Sequence, residues 1–362
     1  MERLGQGILL KEMLQKEELK RYNRQIILPE IGLDGQLKLK SARVAVVGAG
    51  GLGCPVLQYL TAAGIGNIGI IDDDKVHESN LHRQILYNTN DTGKNKAAVA
   101  AAKLKTLNPC VNIISFETRL TGSNAVQILS DYDLIIDGSD NFATRYLVND
   151  ICLSLGKPFV SGAIFGFEGQ LSVFNYMDGP TYRCLFPEAS ESPSCAENGV
   201  LGVLPGILGS YMANEAIKII CGIGEILSGK LMVINILNNS VNFFRITRSV
   251  VNPHTPSLQE EMINGSGIKD SGEFVPEEPF DEWTEHLPEG MLLVDVRGPL
   301  ESEADPIGGI NIPLEDITDE YQSLPADKKV FFYCNSGNRS KKAMEIFKQL
   351  KPGAEAFWMK AQ

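Results

Sequence analysis

The chain has no C-x-x-C pair, no basic block and no apolar run approaching the ~18 residues of a membrane span. Each absence excludes a class. Seven cysteines, at 54, 110, 152, 184, 195, 221 and 334, are odd in number and scattered. They read as free thiols, not as a disulfide framework. Cys152 and Cys221 fall in helical patterns and Cys110 follows a proline, so these and most others are expected in the core. The net charge of −12 and the missing basic stretch argue against a nucleic-acid partner. Without an apolar span no membrane is expected, and Met1 to Lys20 is charged and helix-forming, not signal-like, which makes the cytoplasm the expected compartment. A length of 362 residues is enough for two domains.

What is present is concentrated between Arg43 and Lys96. R-V-A-V-V runs into a turn carrying Gly48, Gly50, Gly51 and Gly53, the pattern of a buried parallel strand feeding a helix. A second apolar run, Ile68 to Ile71, ends at Asp72, where such units place an acid against a ribose hydroxyl. A glycine turn alone also serves plain close packing. The following residues narrow the choice: Ser79, Asn80, Arg83 and Gln84 stand in S-N-L-H-R-Q, and Lys96 opens a helix to Leu107. A diphosphate is satisfied by glycine amides and a helix N-terminus. A triphosphate under attack also needs fixed cations such as Arg83 and Lys96.

Farther on, strands near Val111–Phe116 and Asp133–Asp137 alternate with helices near Ala97–Leu107 and Ser123–Leu129, which predicts a Rossmann-like, doubly wound sheet. Asp140 and Asn141 follow the last of these strands, at the carboxyl edge where open α/β sheets bind ligands. The plain alternative for Asp140 is a helix cap. Before the first strand, Glu17 to Leu39 reads as a helix and a turn carrying Arg21 and Arg24, which on its own is a solvated face. From Phe159 to Phe174 the alternation is that of antiparallel strands, and Asp178 to Asn198 reads as a loop containing Cys195. A long apolar helix then runs to Ile220.

R-Y-N-R-Q-I at Arg21–Ile26, G-A-G-G-L-G, S-N-L-H-R-Q and D-N, in that order, resemble the ThiF/MoeB (HesA) family, relatives of ubiquitin-activating enzymes. The resemblance covers Arg21 to about Arg248. It implies adenylation of the C-terminal glycine of a small ubiquitin-like sulfur carrier of the MoaD/ThiS type, with ATP and Mg²⁺. It further implies that Asp72 holds the ribose, that Arg83, Lys96 and Arg24 neutralise phosphates, and that Asp140 contacts the metal, a carboxylate suiting a hard cation. Arg24 would act across a homodimer. Cys195 would form a covalent link to the activated carrier or its sulfur donor; an exposed loop near a helix start favours a reactive thiolate. The family's structural zinc needs two C-x-x-C pairs, and the matching positions here are Thr181, Cys184, Thr255 and Leu258. One thiolate cannot hold a tetrahedral zinc, so no zinc site is expected.

From Val250 to Glu278 the composition turns to Pro, Ser, Gly and acid, a linker by its inability to bury apolar surface. The expected division is an adenylyltransferase domain over 1–249, a linker over 250–276 and a small α/β domain over 277–362. In the last, strands Met291–Val296 and Val330–Tyr333 lead to Cys334 in C-N-S-G-N-R-S, followed by a helix to Leu350. A cysteine between a strand end and a helix start meets backbone N–H groups and a helix dipole that stabilise a thiolate. V-D-V-R with a C-x-x-G-x-R loop ending at Arg339 resembles the rhodanese sulfurtransferases, whose cysteine carries a persulfide. A phosphatase loop would be one residue longer. The family's closing strand and G-G-x-x-x-W find no match in P-G-A-E-A-F-W-M-K-A-Q, so an incomplete end is expected.

Together the halves resemble fused enzymes of the MoeZ type, in which adenylation precedes sulfur transfer from a persulfide donor to give a carrier thiocarboxylate for molybdopterin, thiamine or a related pathway. Other readings remain. A nicotinamide oxidoreductase shares the glycine turn but not Arg83 and Lys96. A tRNA-modifying dehydratase shares the fold but does not suit the acidic charge. A scaffold binding a ubiquitin-like protein without catalysis does not explain the retained Arg24, Asp72, Arg83, Lys96 and Asp140.

Overall fold

A computed structural model of the chain describes residues 14–187, 199–249, 284, 287, 290–325, 328–335 and 337–361. The fold divides into two compact units, Met1–Ile263 and Asn264–Gln362. Cys195, the linker over 250–276, Thr255, Leu258 and Ser336 lie outside the described residues.

The first unit is built on an eight-stranded sheet. Its strands are β1 (Arg43–Val47), β2 (Asn67–Ile71), β3 (Asn112–Phe116), β4 (Leu134–Asp137), β5 (Phe159–Phe165), β6 (Glu168–Phe174), β7 (Lys230–Asn235) and β8 (Ser240–Arg245). Their order is β3-β2-β1-β4-β5-β6-β7-β8. The first five pair in parallel and the last three continue antiparallel. The helices are α1 (Lys16–Ile26), α2 (Gly32–Ser41), α3 (Gly53–Ala63), α4 (Lys96–Leu107), α5 (Ala125–Leu129), α6 (Phe142–Ser154), α7 (Tyr182–Leu185) and α8 (Val203–Cys221). β1 carries buried Val44 and Val46 toward one core and Ala45 and Val47 toward another, as a strand covered on both faces must. Each fully buried valine contributes roughly 1.5–3 kcal/mol. α8 is apolar on the face that meets the sheet, burying Leu204, Leu208, Met212 and Ala216 in the core that holds Val46 and Ile136.

Three local expectations change. Glu17 to Leu39 forms two helices, because Leu39 and Gln36 bury against the body of the unit and Gln36 Nε2 donates to Ala63 O at 3.0 Å. The segment after Asp178 contains the short helix α7, whose Tyr182 is buried against Phe174 and Tyr146. Cys110 is exposed, whereas Cys54, Cys152 and Cys221 are buried as expected.

The second unit has a four-stranded parallel sheet of β9 (Met291–Asp295), β10 (Ile310–Asn311), β11 (Lys329–Cys334) and β12 (Ala356–Lys360), in the order β10-β9-β11-β12. Its helices are α9 (Pro299–Ala304), α10 (Ile317–Glu320) and α11 (Asn338–Leu350). α11 buries Ala343, Met344 and Phe347 on the sheet, with the Phe347 ring edge-on to Phe332 at 5.4 Å. β12 corrects the expectation of a missing closing strand: A-F-W-M-K pairs with all of β11 from Val330 to Cys334. Among the described residues no helix is long and apolar enough to cross a membrane.

Candidate functional site

In the first unit the site lies at the carboxyl ends of β1, β2 and β4. Val47 is level with Ile71 on one side and Asp137 on the other, so Gly48, Asp72 and Gly138 leave the sheet together. Gly48 has φ +89°, and a Cβ there would lie 2.9 Å from Gly138 O. A Cβ on Gly53 would lie 1.9 Å from Gly48 O, so both glycines are required by packing. At the next two glycines there is more room: a Cβ on Gly50 would meet Gln84 Nε2 at 3.6 Å, and one on Gly51 would press on Pro205 Cβ at 3.2 Å and touch Arg83 Cγ at 3.8 Å. They line a cradle of backbone beside the S-N-L-H-R-Q segment. Gln84 is buried there with no partner for its Oε1 among the described residues, as expected of a group awaiting a ligand donor.

Asp72 accepts the Ala49 N–H at 2.7 Å through Oδ2 and the Asp74 N–H at 2.9 Å through Oδ1, so it braces the glycine turn. Burial raises its pKa to about 6, against the pull of Lys96 and of the Ala49 N–H. Lys96 is 4% exposed, and its Nζ lies 3.0 Å from Asp74 Oδ2. Asn95 caps α4 by accepting the Ala98 N–H at 3.1 Å, which sets Lys96 at the helix start. The carboxylates of Asp72, Asp73 and Asp74 have oxygens within 4.8 Å of one another. Arg83 donates from Nη2 to Asn80 Oδ1 at 2.8 Å and from Nη1 to Ser79 O at 3.4 Å, so the motif folds onto itself. Tyr87, absent from the sequence reading, lies within hydrogen-bond reach of Ala49 O at 2.8 Å and Lys96 O at 3.2 Å and ties the turn to α4. Its signal was only an aromatic three residues beyond Gln84.

Asp140 is exposed, with Asn141 Nδ2 3.4 Å from its Oδ1. The helix cap is Asn141, not Asp140: its Oδ1 accepts the Thr144 N–H at 2.9 Å. That leaves the Asp140 carboxylate open to an incoming cation and gives Asn141 a structural duty. Beneath them Asp137 is fully buried and accepts from Ser139 Oγ at 2.6 Å and Ser161 Oγ at 2.9 Å, fixing the strand end.

On α1, three residues of R-Y-N-R-Q-I anchor the helix. Arg21 donates to Leu107 O at 2.9 Å, Tyr22 Oη accepts from Asn108 Nδ2 at 2.8 Å, and Gln25 Nε2 donates to Ala63 O at 2.8 Å. Arg24 is exposed, and among the described residues no hydrogen bond or ion pair joins it to the cluster around Asp72 and Lys96. Cys184 is held by hydrogen bonds: Thr181 Oγ1 is 3.4 Å away and the Ser249 N–H donates to its sulfur at 3.4 Å. Burial pushes this thiol up, but those bonds and nearby Arg248 outweigh it and bring its pKa below the ordinary value.

In the second unit Cys334 ends β11 and is fully enclosed. Its sulfur accepts the Ser340 N–H at 3.4 Å, and its S–H reaches Ser340 Oγ at 3.6 Å. The expected ring of N–H groups therefore reduces, among the described residues, to this one. Arg339 forms a two-pronged pair with Glu301 on α9, Nη1 to Oε2 at 2.7 Å and Nη2 to Oε1 at 2.8 Å. Glu301 Oε1 also accepts from Asn335 Nδ2 at 3.1 Å, and Asn335 Oδ1 accepts from Arg297 Nη1 at 3.4 Å. Arg297, fully buried, is paired in turn to Asp295, with Nη2 to Oδ2 at 2.8 Å and Nε to Oδ1 at 3.0 Å. Burial raises the Asp295 pKa, but the Arg297 bonds outweigh that and hold it below the usual carboxylate range.

Residues 22–254 match the ThiF family, and residues 280–359 match the rhodanese-like domain. The chain belongs to the ThiF family. A sulfur carrier protein adenylyltransferase of Thermus thermophilus is 52% identical over 68% of this chain and 93% of its own. A probable adenylyltransferase/sulfurtransferase MoeZ of Mycobacterium tuberculosis is 42% identical over 93% of this chain and 90% of its own. The adenylyltransferase and sulfurtransferase MOCS3 of Xenopus laevis is 38% identical over 94% and 84%. Among solved structures, E. coli MccB with MccA-N7isoASN superposes with a TM-score of 0.58 at 22% identity, over 64% of this chain and 73% of that one, a likeness of fold. The fold class and the family named from the motifs both stand, and the protein is an adenylyltransferase with an attached rhodanese-like domain.

Proposed function

We propose that this protein adenylates the C-terminal glycine of a ubiquitin-like sulfur carrier with ATP and then supplies sulfur to form the carrier's thiocarboxylate. The observation that carries the first step is the meeting of the glycine cradle, the orphaned Gln84 Oε1, Asp72 and buried Lys96 at one sheet edge. Gly50 and Gly51 offer backbone N–H groups to phosphate oxygens, while Asp72, once ionised, accepts a ribose hydroxyl. Ser79 and Asn80 orient Arg83, and Arg83 with Lys96 offsets the charge that builds when the carrier's carboxylate attacks the α-phosphate and pyrophosphate leaves. Asp140, with its carboxylate left open by the Asn141 cap, would hold Mg²⁺. Bound there, Mg²⁺ supplies charge neutralisation on the phosphates.

Arg24, exposed on a helix anchored by its neighbours, is free to reach the phosphates of a partner protomer, so the working form is a homodimer. In the second step a persulfide on Cys334 is the sulfur source, Arg339 orders its loop, and Cys195 holds or resolves the acyl intermediate. Cys184 is the one cysteine among the four positions where relatives place zinc ligands, too few for a tetrahedral site, so the protein works without zinc there.

ATP–pyrophosphate exchange with each ubiquitin-like carrier of the same organism tests this. Exchange that depends on one carrier supports the reading; exchange that no carrier stimulates overturns it.

A further inference from the structure

Glu301 pairs with the cation of the loop that begins at Cys334. Arg339 is the one cation in C-N-S-G-N-R, and both of its terminal nitrogens are engaged by the Glu301 carboxylate in a fork-to-fork pair. The same carboxylate takes the Asn335 amide, so Glu301 spans the loop from its second residue to its sixth. The next cation, Arg297, is likewise matched by Asp295, and Asp305 Oδ2 stands 3.7 Å from its Nη1. Among the described residues, the two arginines of this network, Arg339 and Arg297, are therefore each matched by a carboxylate.

An anionic donor gains little from such a loop. Thiosulfate brings two negative charges, and to pair with Arg339 it must first displace a two-pronged carboxylate already in place. A persulfide on an otherwise uncharged group carries one negative charge at most, and its reacting form R–S–SH carries none, so it has no such requirement.

We propose that Glu301 is a specificity-determining residue that selects persulfides over thiosulfate as the sulfur donor to Cys334. This rests on the sulfurtransferase reading of the second unit. In the favoured reaction the Cys334 thiolate attacks the outer sulfur of R–S–SH, the S–S bond of the persulfide breaks, and R–S⁻ departs. Cys334–S–SH is formed, and no outside oxidant or reductant is needed. With thiosulfate the leaving group would be sulfite.

The full-length protein and its Glu301→Gln variant, which keeps the shape and one acceptor but not the charge, are each mixed with thiosulfate or with 2-hydroxyethyl persulfide. The initial rate of sulfur addition at Cys334 is read by peptide mass spectrometry. The ratio of the thiosulfate to the persulfide rate constant should rise roughly tenfold or more in the variant, the scale of one charged hydrogen-bond pair. The gain should appear in the concentration dependence on thiosulfate and shrink as salt is added, because it comes from an uncovered cation. Glu301→Ala should shift the ratio the same way.

An unchanged ratio overturns the proposal, as does an equal loss with both donors, which would make Glu301 a prop for the loop only. Wild-type protein that takes up thiosulfate faster than the persulfide overturns it too. Wild-type protein that takes sulfur from neither donor instead overturns the sulfurtransferase reading, and the proposal with it.

Discussion

Replacing Lys96 with methionine keeps the buried stem and removes the ammonium. Two effects follow from its position. The first is the loss of a preorganised cation where charge develops on the phosphates, which lowers ATP–pyrophosphate exchange about 10²-fold or more, ~2.7 kcal/mol in the barrier. The second acts through Asp72. Burial already lifts that carboxyl to about 6, and Lys96 is the strongest influence pulling it down. Without the ammonium, Asp72 holds its proton to a still higher pH. A protonated Asp72 has lost its charge and is a weaker acceptor for the ribose hydroxyl, so wild-type ATP binding should weaken as pH falls through about 6, and the variant's weakening should begin at higher pH. Folding responds with the opposite sign: a carboxyl raised in the native state binds more protons folded than unfolded, so its contribution to stability is present at low pH and is lost as pH rises through about 6. Exchange rates and ATP dissociation constants, measured on both sides of that pH, read both effects. Exchange at the wild-type rate would remove Lys96 from the phosphate site. A drop in exchange with an unmoved acid limb would break the link between Lys96 and Asp72.

The remaining expectations concern the dimer, the loop cysteine and zinc. Arg24→Ala and Asp140→Ala proteins, each inactive alone, should recover part of the exchange activity when mixed, because a mixed dimer has one site with both residues; no recovery despite demonstrated subunit exchange would place Arg24 elsewhere. Cys195→Ser should retain ATP–pyrophosphate exchange and stop thiocarboxylate formation, read as the mass of the carrier with one oxygen replaced by sulfur; normal thiocarboxylate yield would free Cys195 of any role. Metal analysis of the purified protein should find zinc well below one per chain, and a chelator should leave its unfolding temperature unmoved; stoichiometric zinc would mean that Cys184 has ligands other than the two hydrogen bonds described.

The fold around the proposed nucleotide site was legible because its parts are local. A valine-rich strand, four glycines and an acid after the next strand fix a shape whatever the rest of the chain does, and β1, β2 and α3 formed as read. The pairing of Lys96 with Asp74 was not legible, since it joins residues 22 apart across a loop. D-N at 140 and 141 was ambiguous for a different reason: either side chain can cap a helix, and only the extended backbone of Asn141, φ −132° and ψ 148°, decides it. α2 was missed because Gly32 and Gly35 depress helix propensity, a cost overcome by burying Leu39 and the Gln36 amide. Glu301 gave no signal of its own, because its partner lies on the far side of two strands and a helix.

β12 shows why an absent motif was a poor guide to the second unit. A-F-W-M-K lacks the expected glycines, yet its five residues alternate between Trp358, in the α11 core, and Phe357 and Met359, on the opposite face. Pairing with β11 puts Lys360 level with Cys334, and Ser340, the residue whose N–H reaches the sulfur, lies with its Oγ 2.9 Å from Met359 O. Gly337, at φ +85°, lies so close to this strand that a Cβ there would come within 2.7 Å of Trp358. The loop is therefore braced by β12 beneath, by α11 behind and by Glu301 in front. Such a loop holds a sulfur in one place by covalent connection and packing, with its nearby arginines already matched, which suits passing a neutral sulfur atom along better than gripping an anion.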